Sequence, residues 1–491
     1  MKTYRAYDPE QPYLLPPSPR DWLGDDHLAI FVLDLVRELD LRAIDAQLQA
    51  KDSRGERPYS PVMMTALLVY AYSVGVFSSR RIERATVEDV AFRYLCGGQH
   101  PHFTTINQFR GKYRQQLADL FGQVLKACMS AGLVKLEHVA IDGTKMKANA
   151  SKHKAMSYDR MVKDDERIRK EVEELLAKAD AADAEEEQAE GPYDADEEVR
   201  RRQERLAKMA AAREALRAET KAARAARLRE QAEELREKAA DPNTAPRDQK
   251  GFVTLAAKRD EKANELAAQA GEQPPRDDDD DDDLPRNTPP SDADGEPKPA
   301  AQRNFTDPQS RIMVRDGAVM QGYNAQIVVD DTSQVIVAAA VSNQSPDTQY
   351  FAPMLRRVVA NCGAVPAKAT ADSGYFSAAN VQFAEHMGTE PFISVGKHRN
   401  DGQPVEAPSQ PNHHTPAKQA MRAVLETADG RATYALRKST VEPVFGQVRA
   451  CRGFQHFSFR GLFKNRCEWL LVCLTHNVLK LFRARRPALA A

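Results

Sequence analysis

The sequence predicts a mixed α/β sheet domain that follows an all-α domain and is interrupted by a long helical insertion. Three observations lead to this fold class. Residues 25–130 carry apolar residues at helical spacing, residues 159–240 have the Ala, Glu, Lys and Arg composition of long exposed helix, and short β-branched runs alternate with helices from about residue 305. Strands that alternate with helices are typical of a sheet covered by helices.

The first helices are predicted from their caps and apolar stripes. Apolar residues between Leu28 and Leu39 follow the i, i+3, i+4, i+7 rule of one helix face. A second helix opens with Ser60 as N-cap and Pro61 at its first position, where proline is favoured. Ser79 is the predicted cap of a third helix.

A fourth helix is predicted to begin at Thr104 or Thr105. Its apolar residues face inward, and Asn107 and Arg110 are expected outside, near its N-terminal end. A polar and basic helix start of this kind fits a DNA major groove, and the alternative is a solvated helix face.

The middle of the chain, residues 159–303, is predicted to be an insertion of helices followed by an acidic, disordered linker. Gly191-Pro192 breaks the helices once, the stretch 194–240 would be about 70 Å long, and 251–270 is another helix. The heptads are weak, so a loosely paired helical hairpin is favoured over a stable coiled coil. The run of seven aspartates from Asp277 to Asp283 repels itself and is expected to stay disordered.

The insertion is expected to make few contacts with the sheet and to be dispensable for the fold. Lys and Arg minus Asp and Glu gives −11 for residues 151–299 and +8 for 300–491, within a total of −1. Opposite charge also raises the alternative that the insertion competes with DNA for a basic groove.

The sheet domain is predicted from short runs with strand or helix patterns. A first strand covers 137–142 and ends before Gly143, which indicates a turn. The later elements follow in the order hairpin, helix, strand, helix and strand: 319–329 with 334–341, then 350–360 with Asp347 or Thr348 as cap, 367–372, 377–387 and 391–395.

Three carboxylates carry the predicted chemistry. Asp142 and Asp372 each close a short apolar strand before a glycine-containing turn, and side chains at strand ends gather in α/β sheets. Glu442 stands at the start of a later helix. Three hard oxygen ligands suit Mg²⁺, and two such ions would support in-line displacement at phosphorus. The alternative for each single acid is a turn or helix cap.

The C-terminal segment around Glu442 is strongly basic. From Arg431 onward the chain has 12 Lys or Arg but only two Glu, which is what a polyanionic backbone requires. Trp469 lies among apolar residues at helical spacing and is predicted to belong to the core. A merely solvated basic face is the alternative.

The cysteines, the histidines and the lengths of the apolar runs bear on which other classes of protein the sequence fits. The six cysteines are scattered without a CxxC pair, so neither a disulfide framework nor a zinc site is indicated. The histidines, among them His398, His413 and His414, lack metal-ligand spacing and are predicted to lie in loops. No apolar run approaches the roughly 20 residues that span a bilayer, so an intracellular protein without membrane contact is expected.

Several motifs together resemble the DDE transposases of bacterial insertion sequences. They are Thr-Thr-Ile-Asn-Gln-Phe-Arg (104–110), Ile-Asp-Gly-Thr-Lys-Met-Lys-Ala-Asn-Ala-Ser-Lys (141–152), Thr-Asp-Pro-Gln-Ser-Arg-Ile-Met (306–313), Gln-Gly-Tyr-Asn-Ala-Gln (321–326), Thr-Ala-Asp-Ser-Gly-Tyr-Phe-Ser (370–377) and Val-Glu-Pro-Val-Phe-Gly-Gln-Val-Arg (441–449). Relatives carry Tyr-x2-Arg-x3-Glu-x6-Lys around the third acid. Here Tyr434 and Arg437 match, four residues precede Glu442, and Arg449 replaces the lysine.

The resemblance implies a ribonuclease H-like catalytic domain over 135–158 and 304–491. It also implies an N-terminal arm over 1–24 and a helical DNA-binding domain over 25–134. The implied catalytic and metal-binding residues are Asp142, Asp372 and Glu442, with two Mg²⁺ ions for which Mn²⁺ substitutes. The implied DNA contacts are Asn107, Arg110, Lys145, Tyr434, Arg437, Arg449 and Arg452.

The implied reaction is hydrolysis at the transposon end, which frees a 3′-hydroxyl that then attacks target DNA. The implied partners are double-stranded DNA and further copies of the chain, in the bacterial cytoplasm at the nucleoid. Three alternatives differ in class: a nuclease of the same fold without strand transfer, a non-catalytic DNA-binding scaffold, and a serine or tyrosine recombinase using Ser373 or Tyr375. The last lacks an obvious activating base.

Overall fold

The computed structural model describes residues 18–50, 57–185, 195–242, 244–271, 283–396 and 415–485, without the side chains of 175–185 and 195–198. Several predicted features therefore lie outside the described residues. These are most of the N-terminal arm, the break at Gly191-Pro192, residues 277–282 of the acidic run, and His398, His413 and His414.

The N-terminal region is all α, as the sequence predicts. Its helices are α1 Leu28–Glu38, α2 Arg42–Gln49, α3 Pro61–Ser73, α4 Ser79–Glu88, α5 Val90–Leu95, α6 Phe103–Lys112 and α7 Arg114–Ser130. Ser60 and Pro61 begin α3 as expected, whereas the cap of α4 is Ser78 rather than Ser79. The predicted fourth helix is two helices, α6 and α7, which meet at Tyr113.

A six-stranded mixed sheet follows, which confirms the predicted α/β class. Its strands are β1 His138–Lys147, β4 Arg311–Arg315, β5 Ala318–Asp330, β6 Val335–Ser342, β7 Lys368–Ala371 and β8 Glu390–Ile393. The strand order is β4-β5-β1-β7-β8. Strand β6 also pairs with β5, along the same edge of β5 as β4. Strands β1, β7 and β8 are parallel, and β5 is antiparallel to β1, β4 and β6. Two shorter strands, β2 Ala155–Ser157 and β3 Gln302–Asn304, pair separately.

The first strand is longer than the sequence analysis predicts. It does not turn at Gly143 but continues to Lys147, and Gly143 pairs with Gln326 of β5. A Cβ atom at position 143 would lie 2.1 Å from Nε2 of Gln326. Glycine therefore makes room for a neighbouring side chain within the sheet, and a reading of glycine as a turn signal is wrong here.

Helices cover the sheet and join it to the N-terminal region. They are α11 Phe351–Cys362, α12 Ala378–Met387, α13 Pro416–Glu426, α14 Ala428–Thr440, α15 Glu442–Gly446 and α16 Leu462–Arg485. Helix α16 packs against α3, α7 and β6, so one continuous hydrophobic core extends from Ala29 to Leu481. Trp469 is buried in it, as predicted, and donates a hydrogen bond to the Gln326 carbonyl at 3.2 Å.

The insertion consists of three helices, α8 Tyr158–Glu185, α9 Ala195–Ala240 and α10 Pro246–Ala270. Helices α9 and α10 form a hairpin joined by two apolar clusters, for example Leu228 of α9 with Leu266 of α10, and they pack together more extensively than the predicted loose pairing. Contacts with the sheet are stronger than expected. The Glu219 carboxylate of α9 pairs with Arg303 at 2.9 Å and with Arg311 of β4 at 2.5 Å.

The end of the insertion also contacts the sheet domain. Leu284 is buried in the main core, and Asp283 pairs with Arg357 of α11 at 2.8 Å. The Asn287 N–H donates to Oδ1 of Asn343 at 2.8 Å. The predicted disordered linker up to residue 303 is therefore wrong from residue 283 onward, because these residues find partners on β6 and α11.

Two further observations concern membrane-spanning helices and the cysteines. Within the described residues, no helix is both long enough and apolar enough to cross a membrane. All six cysteines are free thiols, as their scattered positions predict.

Replacement of Gly143 by alanine should destabilise the fold, because the new methyl group would displace the Gln326 side chain. Overpacking of this kind costs about 1–3 kcal/mol. Gly122→Ala in α7 is the control, since nothing lies within 4 Å of its added Cβ. It should be neutral or stabilising by up to about 1 kcal/mol. Urea unfolding of both variants measures the difference, and equal stabilities would contradict the packing argument.

Candidate active site

The two aspartates predicted to act together lie at the same point of the sheet. Ile141 of β1 pairs with Ala371 of β7, so Asp142 and Asp372 are the next residues on two parallel neighbours. Strand β7 ends there, whereas β1 continues beside β5. At Asp142, β1 therefore has a paired neighbour only on the β5 side, and the sheet is open on the side where β7 has ended.

Asp142 is a largely buried acid, with 17% of its side chain exposed. Its Oδ1 accepts a hydrogen bond from the Gly143 N–H at 2.8 Å, and Oδ2 lies 3.3 Å from Nη1 of Arg437. Burial raises the pKa of Asp142 to about 6, and the charges of Asp372 and Asp347 add to the rise while Arg437 opposes it. The site is thus short of positive charge even with the arginine present.

Asp372 follows β7 and begins a tight turn. Its Oδ1 accepts the N–H of Gly374 at 2.8 Å, which fixes the carboxylate at the start of the turn Ser373–Tyr375. A Cβ atom at Gly374 would lie 3.0 Å from that oxygen and 3.6 Å from Cβ of Asp347. The turn is therefore packed closely between two acids.

The third predicted acid is connected to the first through Arg437. Glu442 is the first residue of α15, is 54% exposed, and has Oε1 4.0 Å from the same Nη1 that contacts Asp142. Arg437 itself is only 14% exposed. Burial alone would lower its pKa, but the Asp142 charge and the Tyr434 hydroxyl raise it above the ordinary value. Arg437 thus lies between two candidate metal-binding carboxylates.

A fourth acid, Asp347, belongs to this site, although the sequence predicts it only as a helix cap. Both of its carboxylate oxygens contact Nζ of Lys145, at 2.9 and 3.0 Å. Its Oδ1 also accepts from Asn324 at 2.7 Å and from Gln326 at 2.9 Å. One feature of the sequence could have indicated this position of Asp347. Amide side chains stand on the otherwise apolar strand β5, and buried amides require polar partners.

Lys145, predicted to contact DNA, therefore already has an internal partner. Its side chain is 14% exposed and forms an ion pair with Asp347 behind the aspartate pair. Arg449 lies on the face of β1 opposite to Lys145. Its Nη1 is 3.4 Å from Oγ1 of Thr144, and its side chain is 30% exposed. Of these two basic residues, Arg449 is the more available to a bound phosphate.

Two other arginines predicted to contact DNA are buried in the structure and bonded to protein groups. Arg452 is 6% exposed and donates to Oγ1 of Thr475 at 2.7 Å; burial lowers its pKa to about 10. Arg110 is also 6% exposed and donates to the Tyr72 hydroxyl at 2.8 Å. Arg110 follows Ile106 by four residues, so helical periodicity already placed it on the buried face.

Asn107, by contrast, is exposed on α6 as predicted. Its Oδ1 accepts a hydrogen bond from Nη2 of Arg110 at 3.1 Å. The buried arginine thus orients the exposed amide, which keeps Asn107 as the candidate for base recognition on this helix.

The chemistry of the donor set fits a divalent cation. Two carboxylates whose charges repel each other, with a third carboxylate nearby, are hard oxygen donors of the kind that Mg²⁺ and Mn²⁺ take. In the described part of the chain, no group of three or more His, Cys, Asp or Glu side chains is close enough to hold a metal ion. Arg437 lies between the acids in this arrangement.

A hydroxyl nucleophile is not supported at this site. Tyr375 is fully buried, and its hydroxyl donates to Oε1 of Gln326. Ser373 is exposed in the turn, and the described contacts give it no activating base.

Two family matches cover separate parts of the chain. Residues 18–112 match a transposase domain named DUF772, and residues 306–478 match a transposase DDE domain. The second match contains Asp347, Asp372 and Glu442, whereas Asp142 precedes it. No curated protein and no solved structure matches the chain.

Asp142 should make stability depend on pH. Its folded-state pKa of about 6 exceeds the ordinary 3.8, so the folded protein binds more protons between these values and loses stability as pH rises through them. Asp142→Asn should therefore stabilise the metal-free protein at pH 8 by up to about 3 kcal/mol, and the gain should vanish near pH 4. Thermal unfolding in EDTA measures this effect.

The matched control for this experiment is Asp316→Asn, because Asp316 is 82% exposed. It should change stability little at either pH. A stability gain for Asp142→Asn that is the same at pH 4 and pH 8 would contradict the electrostatic explanation.

Proposed function

The chain is a transposase with an N-terminal transposase domain and a C-terminal DDE catalytic domain, and on that premise we propose that Asp142, Asp372 and Glu442 form its metal-dependent catalytic centre. There it cuts DNA at the ends of an insertion sequence and transfers the freed strand. The observation that carries the assignment is the pairing of Ile141 with Ala371, which aligns the first two acids on adjacent parallel strands.

The three carboxylates would hold the metal. When bound, one or two Mg²⁺ or Mn²⁺ ions would supply Lewis-acid stabilisation of the attacking and leaving oxygens. The reaction we propose is hydrolysis of a phosphodiester at each end, followed by in-line attack of the resulting 3′-hydroxyl on target DNA. It requires no covalent intermediate with the protein.

The surrounding side chains have separate tasks in this proposal. Arg437 contacts Asp142 and lies beside Glu442, and in this proposal its guanidinium also binds a phosphate oxygen. Lys145 neutralises Asp347, so that the fourth acid stays out of the metal-binding set. Gln326 bonds both Asp347 and Tyr375 and thereby fixes the turn that carries Asp372.

Recognition of the base sequence and binding of the phosphate backbone are assigned to different surfaces. The exposed Asn107 on α6 would read transposon-end bases, and Arg449 with Tyr434 would contact the phosphate backbone near the acids. We place this activity on double-stranded DNA in the bacterial cytoplasm, with two or more copies of the chain acting together to bring two ends into one complex.

Asp142→Asn, Asp372→Asn and Glu442→Gln should each abolish cleavage in Mg²⁺. Each removes a charged ligand with little volume change, and the loss should exceed the roughly 100-fold effect of losing an outer-sphere partner. DNA binding should persist. The assay is gel analysis of cutting and joining of an insertion-sequence end, with Glu385→Gln at an exposed position of α12 as control. Near-normal cutting by any of the three would refute its assignment, and cutting without joining would indicate a nuclease.

Asn107→Ala should weaken binding to the specific end but not to random DNA, because base contacts specify and phosphate contacts do not. Arg449→Gln should weaken both and reduce the slope of log Kd against log salt by about one. Gel-shift titrations over a range of salt concentrations measure both effects. If the two variants change binding to random DNA equally, the division of tasks is wrong.

A further inference from the structure

Two cavities adjoin each other beyond the active site. The first, of about 710 Å³, lies between the end of β1, the segment 148–154 and the loop that carries His456 and Arg460. The second, of about 600 Å³, lies between the same segment and helix α9 of the insertion. Both are lined by His153 and Lys154, so the cavities meet at these two residues. The basic groove is defined here by the cationic residues Lys147, Lys152, Lys154, Lys208 and Arg460.

The charge of the groove is of one sign. Among the described residues that line the two cavities there is no aspartate or glutamate. All five defining side chains belong to exposed residues. Arg205 and Arg303 also line the second cavity, but they already pair with Asp164 and Glu219. A one-signed, open groove in a chain of net charge −1 fits a polyanion rather than a small neutral ligand.

The groove begins at a defined distance from the acids. Lys147 is on the same strand as Asp142, five residues further along β1. At roughly 3.3 Å per residue this is about 17 Å. Side chains alternate between the two faces of a strand, so Lys147 at the end of β1 projects from the face opposite to Asp142, and bound DNA would pass around this end of the strand to reach both. From there the groove leads past Lys154 to Lys208.

The wall formed by α9 is fixed to the catalytic domain. Glu219 of α9 holds Arg303 and Arg311, and Leu216 is buried with Met161 and Ala301. Arg303 itself belongs to β3, which pairs with β2. Lys208 therefore stands about two helical turns before the residues that fix α9 to the catalytic domain.

We propose that the basic groove holds the sugar–phosphate backbone of the duplex DNA that extends away from the scissile phosphate past the end of β1, and that the insertion supplies its outer wall through Lys208. This deepens the proposed function and rests on it for the position of the cut. It replaces the alternative in which the acidic insertion competes with DNA, because the face of α9 toward the groove is basic.

The test compares two triple variants of the full chain that remove the same charge. Lys147→Gln/Lys152→Gln/Lys154→Gln changes the groove, and Lys126→Gln/Lys250→Gln/Lys258→Gln changes exposed lysines of α7 and α10. The probe is a random-sequence duplex, and Kd is measured over a range of salt concentrations. Each lost phosphate contact should reduce the slope by about 0.9, so the groove variant should lose about three units and the control variant none.

Lys208→Gln tests the part played by the insertion. It should reduce the slope by about 0.9 with an unchanged thermal transition. An unchanged slope for Lys208→Gln would overturn the role of α9, and equal slopes for the two triple variants would overturn the groove. Cleavage dependence on Asp142 is measured separately, so failure of the groove and failure of the catalytic assignment give different results.

Discussion

The unequal pairing of β1 is the constraint on which the rest of the structure depends. On one side β1 pairs with β5 over nine residues, and on the other it pairs with β7 over four. The shorter partner ends one residue before Asp142, so the acid is held by a complete sheet while one flank stays open. A shorter β1 would leave Asp142 on a loop instead of on a paired strand. The same extension of β1 leads on to Lys147 and the basic groove.

The C-terminal helix gives this sheet a fixed relation to the N-terminal helices. Glu468 of α16 accepts from the Tyr72 hydroxyl at 3.1 Å and from the Ser458 N–H at 2.7 Å, and Tyr72 in turn accepts from Arg110. Because a buried charge is costly without partners, this cluster ties α3, α6 and α16 into one arrangement. The exposed Asn107 is therefore presented by a surface that shares its core with the catalytic sheet.

Local signals predicted much of the fold, and the site only in part. Strand hairpins, helix caps and the buried Trp469 depend on nearest neighbours, which the sequence displays directly. The sequence indicates a turn at Gly143 because the residue that requires a glycine there, Gln326, lies 183 residues away on another strand. Arg452 was read as a surface charge because composition cannot show that Thr475 and the Val472 carbonyl surround its guanidinium. Asp347 was missed since its partners come from β1 and β5.

Net charge misled for the same reason. The insertion sums to −11 over residues 151–299, which raises the alternative that it competes with DNA for a basic groove. In the folded chain, however, several of its acids are taken up internally: Asp164 pairs with Arg205, Asp165 with Arg213, and Glu219 with Arg303. Screening limits the reach of the remaining exposed acids to about 8–10 Å at physiological salt. A DNA backbone in the groove therefore contacts the local lining, where lysines stand without carboxylates. The net charge of the whole segment does not describe that lining.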